Sequence, residues 1–99
     1  MFDEVTYLIS VVAEITQMHP QTIRYYENIG LVKPKRSKGK VRQYSKEDIE
    51  KLEQIATYTN MGVNLAGVEI IFKLLGQMEE LKKEIEKYRK HFAIQIKRD

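Results

Sequence analysis

The sequence contains no cysteine, so disulfides, thiolate metal sites and thiol-based redox or mercury sensing are excluded. It has only two histidines, His19 and His91, and they are far apart along the chain. It shows no Ser/His/Asp grouping, no paired catalytic carboxylates and no glycine loop that would cradle a phosphate. The residues therefore predict a protein that is not an enzyme and that uses neither a metal nor a cofactor.

Long apolar runs are also absent. No stretch approaches the roughly 20 residues that a membrane helix needs, and the opening MFDEVTYLIS lacks the basic segment and apolar run of a signal peptide. These absences predict a soluble, cytoplasmic chain.

The 99 residues of the chain correspond to one small domain plus an extension. A domain of this size is only marginally stable alone, so we expect dimerisation.

One segment lacks acidic residues. The net charge is only +3, but no Asp or Glu occurs between Glu27 and Glu47. A local positive field of this kind favours a nucleic-acid phosphate backbone, although a solvated basic loop is the alternative. The basic residues of the segment are Lys33, Lys35, Arg36, Lys38, Lys40, Arg42 and Lys46.

Two short helices separated by a turn are predicted near the N-terminus. Ser10 can cap the first helix, and residues 16–19 form the turn. Pro20 suits the first position of the second helix, with His19 as its N-cap. Gly30 can end that helix because glycine readily adopts a positive φ. The side of the first helix expected to be buried comprises Ile9, Val12, Ala13 and Ile15.

The second predicted helix, over about residues 20–29, has two different faces at 100° per residue. One face supplies core contacts, with Glu27 at its edge, and comprises Ile23, Tyr26, Glu27 and Ile29. The other is polar, planar or cationic, which suits contact with base edges and phosphates. It comprises Gln21, Arg24, Tyr25 and Asn28.

A basic β-hairpin, or wing, is predicted over residues 33–44. Proline and glycine interrupt any helix there, and Ser37-Lys38-Gly39 is typical of a turn between two short extended arms. The strongest candidates for phosphate or minor-groove contact are Arg36 and Arg42. The lysines of the wing would attract DNA without specifying its sequence; these are Lys35, Lys38 and Lys40.

Two further helices follow the wing. Ser45 and Asp48 resemble a capping box for the first, which ends near residues 60–62. Asn64 is expected to cap the second, and Gly76 can end or bend it. This divides the chain into a DNA-binding domain over residues 1–76 and a helical arm over residues 77–99. The apolar stripes are Ile49, Leu52, Ile55 and Ala56 in the first helix and Leu65, Val68, Ile71, Phe72 and Leu75 in the second.

The arm carries a heptad pattern. A straight helix over residues 77–98 would be roughly 33 Å long at 1.5 Å per residue, too long to bury its whole stripe on so small a core. A second copy of the chain is the simplest partner, and packing on its own domain is the alternative. Parallel and antiparallel pairing both remain open. The apolar positions are Met78, Leu81, Ile85, Tyr88 and Phe92, followed by the polar Gln95.

These residues resemble the DNA-binding module of the MerR family of bacterial regulators. The resemblance covers roughly residues 7–75. It implies a mostly α, winged helix-turn-helix domain with a small basic β-hairpin wing and a C-terminal coiled-coil dimerisation helix, acting as a sequence-specific transcription regulator. The matching residues are YLIS at 7–10, TIRYYE at 22–27, GL at 30–31, Pro34, Arg36, RQYS at 42–45 and DI at 48–49.

A narrower resemblance is to the HspR-like heat-shock repressors, through MHPQTIR at 18–24 and GVNLAGV at 62–68. It implies a repressor of chaperone genes that binds an inverted-repeat operator, with a chaperone such as DnaK as modulator. Val41 departs from the wing aromatic of many members, and Tyr25 from the Gln usual in this branch. Many MerR activators carry a large effector domain after the long helix, which this chain lacks, so no small-molecule pocket is expected.

Some candidate DNA contacts have a second explanation that does not involve DNA. Arg24 is the leading candidate for a base or phosphate contact, whereas Gln21 is equally well explained as an adenine contact or an ordinary exposed residue. The Tyr25 hydroxyl would reach a phosphate. For three residues both a structural role and a contact with the DNA backbone are open; these are Thr22, Tyr26 and Tyr44.

Two other functions remain open on this sequence. An architectural, excisionase-like DNA-binding factor would also use a small winged helix, although the heptad arm disfavours it. A coiled-coil adaptor that binds proteins alone would leave the acid-free basic segment unexplained. Repression and activation are distinguished only by the resemblance.

Overall fold

The computed structural model describes residues 5–98, with side chains up to residue 93. The side chain of Gln95 therefore lies outside the described residues. The chain is divided into two compact units, one up to Asn64 and one from Leu65. Within residues 5–98, no helix combines the length and apolarity needed to cross a membrane. The elements are α1 (Ile9–Thr16), α2 (Pro20–Asn28), β1 (Lys35–Arg36), β2 (Arg42–Gln43), α3 (Lys46–Asn60) and α4 (Leu65–Arg98).

The mostly helical architecture with one small antiparallel hairpin confirms the predicted fold class. In the first unit α1 packs against both α2 and α3. Burying an aliphatic side chain contributes roughly 1.5–3 kcal/mol relative to leaving it exposed. The buried side chains of this unit are Val12, Ile23, Leu31, Val32, Tyr44, Ile49, Leu52 and Ile55.

Two residues expected in this core lie outside it. Ile15 is 48% exposed and Ile29 is 40% exposed, so both predictions of burial are wrong. Helix α1 has only about two turns, and its one buried residue is Val12. Ile29 follows the last residue of α2 as its C-cap, where φ is −88° and ψ is 4°. The helical spacing of 100° per residue no longer describes its direction there.

The start of α1 also differs from the prediction. The helix begins at Ile9, and Leu8 is its N-cap without a side-chain hydrogen bond, so Ser10 does not cap it. Tyr7 forms an antiparallel bridge with Tyr44, in which each backbone N–H donates to the other residue's carbonyl over 2.8 Å. Leu8 follows this bridge in an extended conformation, with φ of −75° and ψ of 156°, and the helix begins directly after it.

Helix α2 begins and ends as predicted. The Nδ1 atom of His19 accepts a hydrogen bond from the backbone N–H of Gln21 over 3.0 Å, and Pro20 occupies the first turn. Gly30 has a φ of 85°. Its N–H donates to the carbonyl of Glu27, and the N–H of Leu31 donates to Tyr26, as in a Schellman motif. This termination directs the chain from α2 into the wing.

Strands β1 and β2 form the predicted wing as an antiparallel pair, with Lys35 opposite Gln43 and Arg36 opposite Arg42. The connecting turn is closed by Lys40 N–H donating to the Ser37 carbonyl over 2.8 Å. The left-handed residue of the turn is Lys40, with a φ of 62°, rather than the neighbouring glycine. A type I turn followed by such a residue is a common three-residue hairpin connection.

The boundaries around α3 and α4 combine confirmed and untested predictions. Ser45 and Asp48 form the predicted capping box, since each side chain accepts a hydrogen bond from the other residue's backbone N–H. Helix α4 continues through Gly76 without ending there. The division at residues 76 and 77 and the cap at Asn64 stay predictions.

Candidate nucleic-acid interface

The N-terminal half of α2 presents a paired cation and amide. Arg24 Nη1 donates to the Gln21 side-chain oxygen over 3.0 Å. Gln21 is exposed and Arg24 is half-buried. The three-residue spacing places both side chains on one side of the helix. A guanidinium and an amide held side by side offer the donors and acceptors that base edges in a major groove recognise.

The rest of the α2 face is divided between exposed and packed residues. Tyr25 is 51% exposed, whereas Tyr26 is half-buried. Their ring centroids lie 6.0 Å apart with a 50° angle between the ring planes. Asn28 is exposed and Thr22 is half-buried. These placements put Tyr25 and Asn28 where a ligand can reach them, as the helical spacing predicts.

The wing carries its basic residues on exposed positions. Lys35, Lys38 and Lys40 are all exposed, and Arg36 retains 44% of its side-chain surface. Arg42 is more enclosed, at 26%. The wing therefore presents a concentrated positive surface that can attract a polyanion.

Both wing arginines bind one carboxylate on α2. Arg42 Nε donates to Glu27 Oε1 over 2.6 Å, and Arg36 Nη2 donates to Glu27 Oε2 over 3.1 Å. The Glu27 side chain is only 15% exposed. Its hydrogen bond raises the pKa of the Arg42 guanidinium, which is charged at every physiological pH. The carboxylate thus joins both wing strands to α2.

Tyr44 lies beneath this cluster and is completely buried. The structure therefore gives its side chain a packing role, with no surface for the proposed phosphate contact. Within the described residues, its hydroxyl has no hydrogen-bond partner. Burial, followed by the nearby charge of Glu27, raises the pKa of Tyr44 above its ordinary value of 10.0.

Two features of this site are not predicted by the sequence patterns. The helical spacing places Glu27 at the edge of a core face but does not predict its binding to Arg36 and Arg42. No pattern predicts the isolated backbone bridge between Tyr7 and Tyr44. The only sequence signal for Glu27 is an acidic residue within a helix that precedes a strongly basic segment.

The second unit presents the predicted stripe on α4. Every described side chain from Lys73 to Ala93 is exposed. The three-and-four spacing also extends upstream through Leu74, which is 52% exposed. The predicted stripe residues and their exposed fractions are Met78 at 52%, Leu81 at 57%, Ile85 at 51%, Tyr88 at 73% and Phe92 at 66%.

Within residues 5–98, no group of three or more His, Asp or Glu side chains is placed to hold a metal ion.

Comparisons with known proteins agree with this arrangement. Residues 7–75 match the family described as MerR HTH family regulatory protein. The chain is 45% identical over 80 residues to a Streptomyces coelicolor protein named as the heat shock protein HspR, covering 80% of this chain and 53% of that protein. It is 37% identical over 75 residues to the transcriptional regulator GlnR of Bacillus anthracis, covering 75% and 58%. The chain spans just over half the length of these relatives.

Solved structures share the fold. A MerR-family transcriptional regulator from Bacillus cereus has a TM-score of 0.66 and 26% identity, over 90% of this chain and 73% of that one. HiNmlR, a MerR-family regulator lacking the sensor domain and bound to promoter DNA, has a TM-score of 0.69 and 23% identity, over 93% and 74%. Because the family match covers more than half of the chain, this protein belongs to the MerR family of helix-turn-helix transcription regulators.

Proposed function

We propose that this MerR-family regulator binds an inverted-repeat operator as a homodimer and represses heat-shock or chaperone genes. The observation that carries the DNA-binding part is the polar α2 face beside the basic wing, with Glu27 joining them. In helix-turn-helix proteins the second helix enters the major groove. In the proposed complex α2 enters the major groove, where Arg24 and Gln21 contact bases and Tyr25 contacts a phosphate.

The wing contributes mainly phosphate contacts in this proposal. Its exposed lysines supply a sequence-independent attraction that positions the protein without reading bases. Arg36 and Arg42 contact the backbone or minor groove while bound to Glu27. The remaining candidate contacts on α2 are Thr22, Tyr26 and Asn28.

Dimerisation is assigned to the α4 stripe. Exposed apolar side chains recurring at steps of three and four are the pattern of a coiled-coil seam. A two-fold dimer would present two copies of α2, and therefore bind a DNA site made of two inverted half-sites. We assign the DNA-binding domain to residues 1–76 and the dimerisation arm to residues 77–99.

The heat-shock assignment rests on the similarity to the Streptomyces coelicolor protein named HspR. A repressor of chaperone genes acts in the cytoplasm, where the chromosome lies, and a chaperone such as DnaK would modulate it there. It needs neither catalysis nor a cofactor to act, since blocking a promoter requires only occupancy.

The test is binding to the promoter of the organism's own dnaK-type operon at several salt concentrations, read by footprinting. We expect two protected half-sites and a salt dependence that corresponds to roughly 6–10 neutralised phosphates per dimer. Arg24→Ala should remove most of the discrimination against random DNA. Lys83→Ala is the charge-matched control, because Lys83 is an exposed residue of α4 outside the stripe.

Each alternative outcome changes a different part of the proposal. Specific binding elsewhere but not at this promoter removes the heat-shock assignment and keeps the DNA-binding function. Bending of DNA without paired half-sites favours an architectural, excisionase-like factor. Absence of salt-dependent DNA binding favours an adaptor that acts through its α4 stripe alone.

A further inference from the structure

The wing and α2 meet at a single carboxylate. Glu27 lies in the last turn of α2, Arg36 in β1 and Arg42 in β2. Arg42 Nε contacts both oxygens of Glu27, over 2.6 and 3.3 Å, and Arg36 Nη2 contacts Oε2 over 3.1 Å. Each strand of the hairpin is thereby tied to the helix that presents the base-facing residues.

The contacts extend to the tip of the wing. Arg36 Nη1 donates to the backbone carbonyl of Lys40 over 3.1 Å. Lys40 is the residue whose positive φ closes the hairpin turn. A continuous series of hydrogen bonds therefore runs from Glu27 through Arg36 to the turn, and it fixes the wing tip relative to α2.

The cluster also changes the charge that the wing presents. Two guanidinium groups and one carboxylate carry a net charge of +1 instead of +2. Attraction to DNA depends on how many phosphates the protein neutralises. An arginine already bound to a carboxylate contributes less to that attraction than one whose only partner is water.

Fold stability accounts for only part of this arrangement. The pair of Arg42 with Glu27 is enclosed and has two contacts, so it can stabilise the fold. The pair of Arg36 with Glu27 adds little, because the Arg36 side chain keeps 44% of its surface. Glu27 is one fixed acceptor that sets the direction of both arginine side chains, and this direction matters for DNA recognition. Bidentate and fork-like contacts of arginine depend on the direction of the guanidinium plane.

We infer that Glu27 is a positioning and specificity-determining residue, which orients Arg36 and Arg42 toward the operator and suppresses their binding to unrelated DNA. The inference rests on the proposed DNA-binding function. It adds a residue that raises sequence selectivity although it contacts no base itself. A group that touches no base raises selectivity by fixing the distance between two elements that do contact DNA.

The test compares Glu27→Gln with the wild-type full chain on two duplexes. One is a duplex that the wild-type protein selects from a random library, and the other has the same composition in shuffled order. Glu50→Gln is the matched control, since Glu50 is an exposed residue of α3 and loses the same charge. Salt dependence is measured on both duplexes, and thermal unfolding confirms that each variant is folded.

Glu27→Gln should bind the shuffled duplex more tightly, with a logarithmic salt slope steeper by about 0.9 for each additional phosphate neutralised. Its preference for the selected duplex should fall by roughly tenfold, similar to the effect of one mismatched base pair. Arg42→Lys keeps the charge but loses the Nε donor. It should lose preference for the selected duplex while its salt slope stays unchanged.

Three results overturn the inference. Equal changes in Glu27→Gln and Glu50→Gln would show that only net charge matters. A uniform gain on both duplexes would show that Glu27 merely repels phosphates. A normal preference in Arg42→Lys would show that the orientation of the guanidinium is irrelevant, even where Glu27→Gln fails to fold. If the wild-type protein selects no sequence at all, the proposed function itself fails.

Discussion

The two units of this chain use their apolar residues in opposite ways. The unit up to Asn64 encloses a core in which Val12, Ile23 and Leu52 are completely buried. The unit from Leu65 is one helix whose described side chains from Lys73 to Ala93 are all exposed. The first unit buries apolar residues from each of its helices, whereas the second unit buries Val68 near its start and displays the regular stripe from Leu74 to Phe92 to solvent.

This difference shows that hydrophobic periodicity has two meanings. In α3 it marks residues that pack within the same unit, such as Leu52 and Ile55. In α4 the same kind of spacing marks a surface for another chain, because a lone helix cannot cover its own stripe and gains little stability from its backbone alone. The spacing identifies the stripe, and only exposure tells the two meanings apart.

The largest expected effect is on association. Ile85→Asp would place a carboxylate in the seam of each protomer, so the dimer would bury two unpaired charges. We expect the dimer dissociation constant to rise by at least roughly 1000-fold, about 4 kcal/mol, measured by sedimentation equilibrium. Lys83→Asp, off the stripe, should dimerise normally. If Ile85→Asp associates as the wild-type protein does, the α4 stripe is not the dimer interface and the proposed difference between the two units fails.

A core substitution should act on stability instead. Leu52→Ala removes a completely buried side chain and should lower the free energy of unfolding by about 3 kcal/mol. Leu81→Ala removes the same atoms from a side chain that is 57% exposed. At protein concentrations below the dimer dissociation constant it should have little effect in urea denaturation followed by circular dichroism. Equal losses in the two variants would contradict the comparison.

The N-cap of α2 tests how much a hydrogen bond at the surface contributes to the stability of the first unit. His19→Ala removes the acceptor for the Gln21 N–H and should cost about 1 kcal/mol. His19→Asn is the matched variant, because asparagine also caps well and should retain the stability. Urea denaturation of both variants checks this. Identical transitions would show that the cap contributes nothing to the fold.

The smallest expected effect concerns the buried hydroxyl of Tyr44. Tyr44→Phe removes a polar atom without a described partner and should stabilise the fold by up to about 1 kcal/mol at neutral pH. Because the folded pKa of Tyr44 is raised above 10.0, the unfolded chain ionises first as pH rises. This group therefore favours unfolding increasingly above pH 10.

Denaturation at neutral and at alkaline pH measures this effect. The advantage of Tyr44→Phe over the wild-type protein should grow as the pH rises above 10. A constant difference between Tyr44→Phe and wild type would mean that the buried hydroxyl does not ionise on unfolding.

Local sequence signals determined both ends of α2 and the start of α3. The capping box of Ser45 and Asp48, the cap at His19 and the left-handed Gly30 all appear as predicted. Each involves residues no more than about four positions apart, so the chemistry that fixes the structure is readable along the chain. The basic wing and the α4 stripe were predictable for the same reason, since charge and spacing are local properties.

Tertiary structure alone decided which charges pair and which surfaces are covered. Glu27 binds Arg36 and Arg42, which lie 9 and 15 residues away. Tyr44 is buried beneath them and pairs with Tyr7, while Ile15 and Ile29 stay exposed despite apolar spacing. Periodicity states which side of a helix is apolar but not what covers it. The pairing of distant charges depends on how the chain folds back on itself, which no local pattern records.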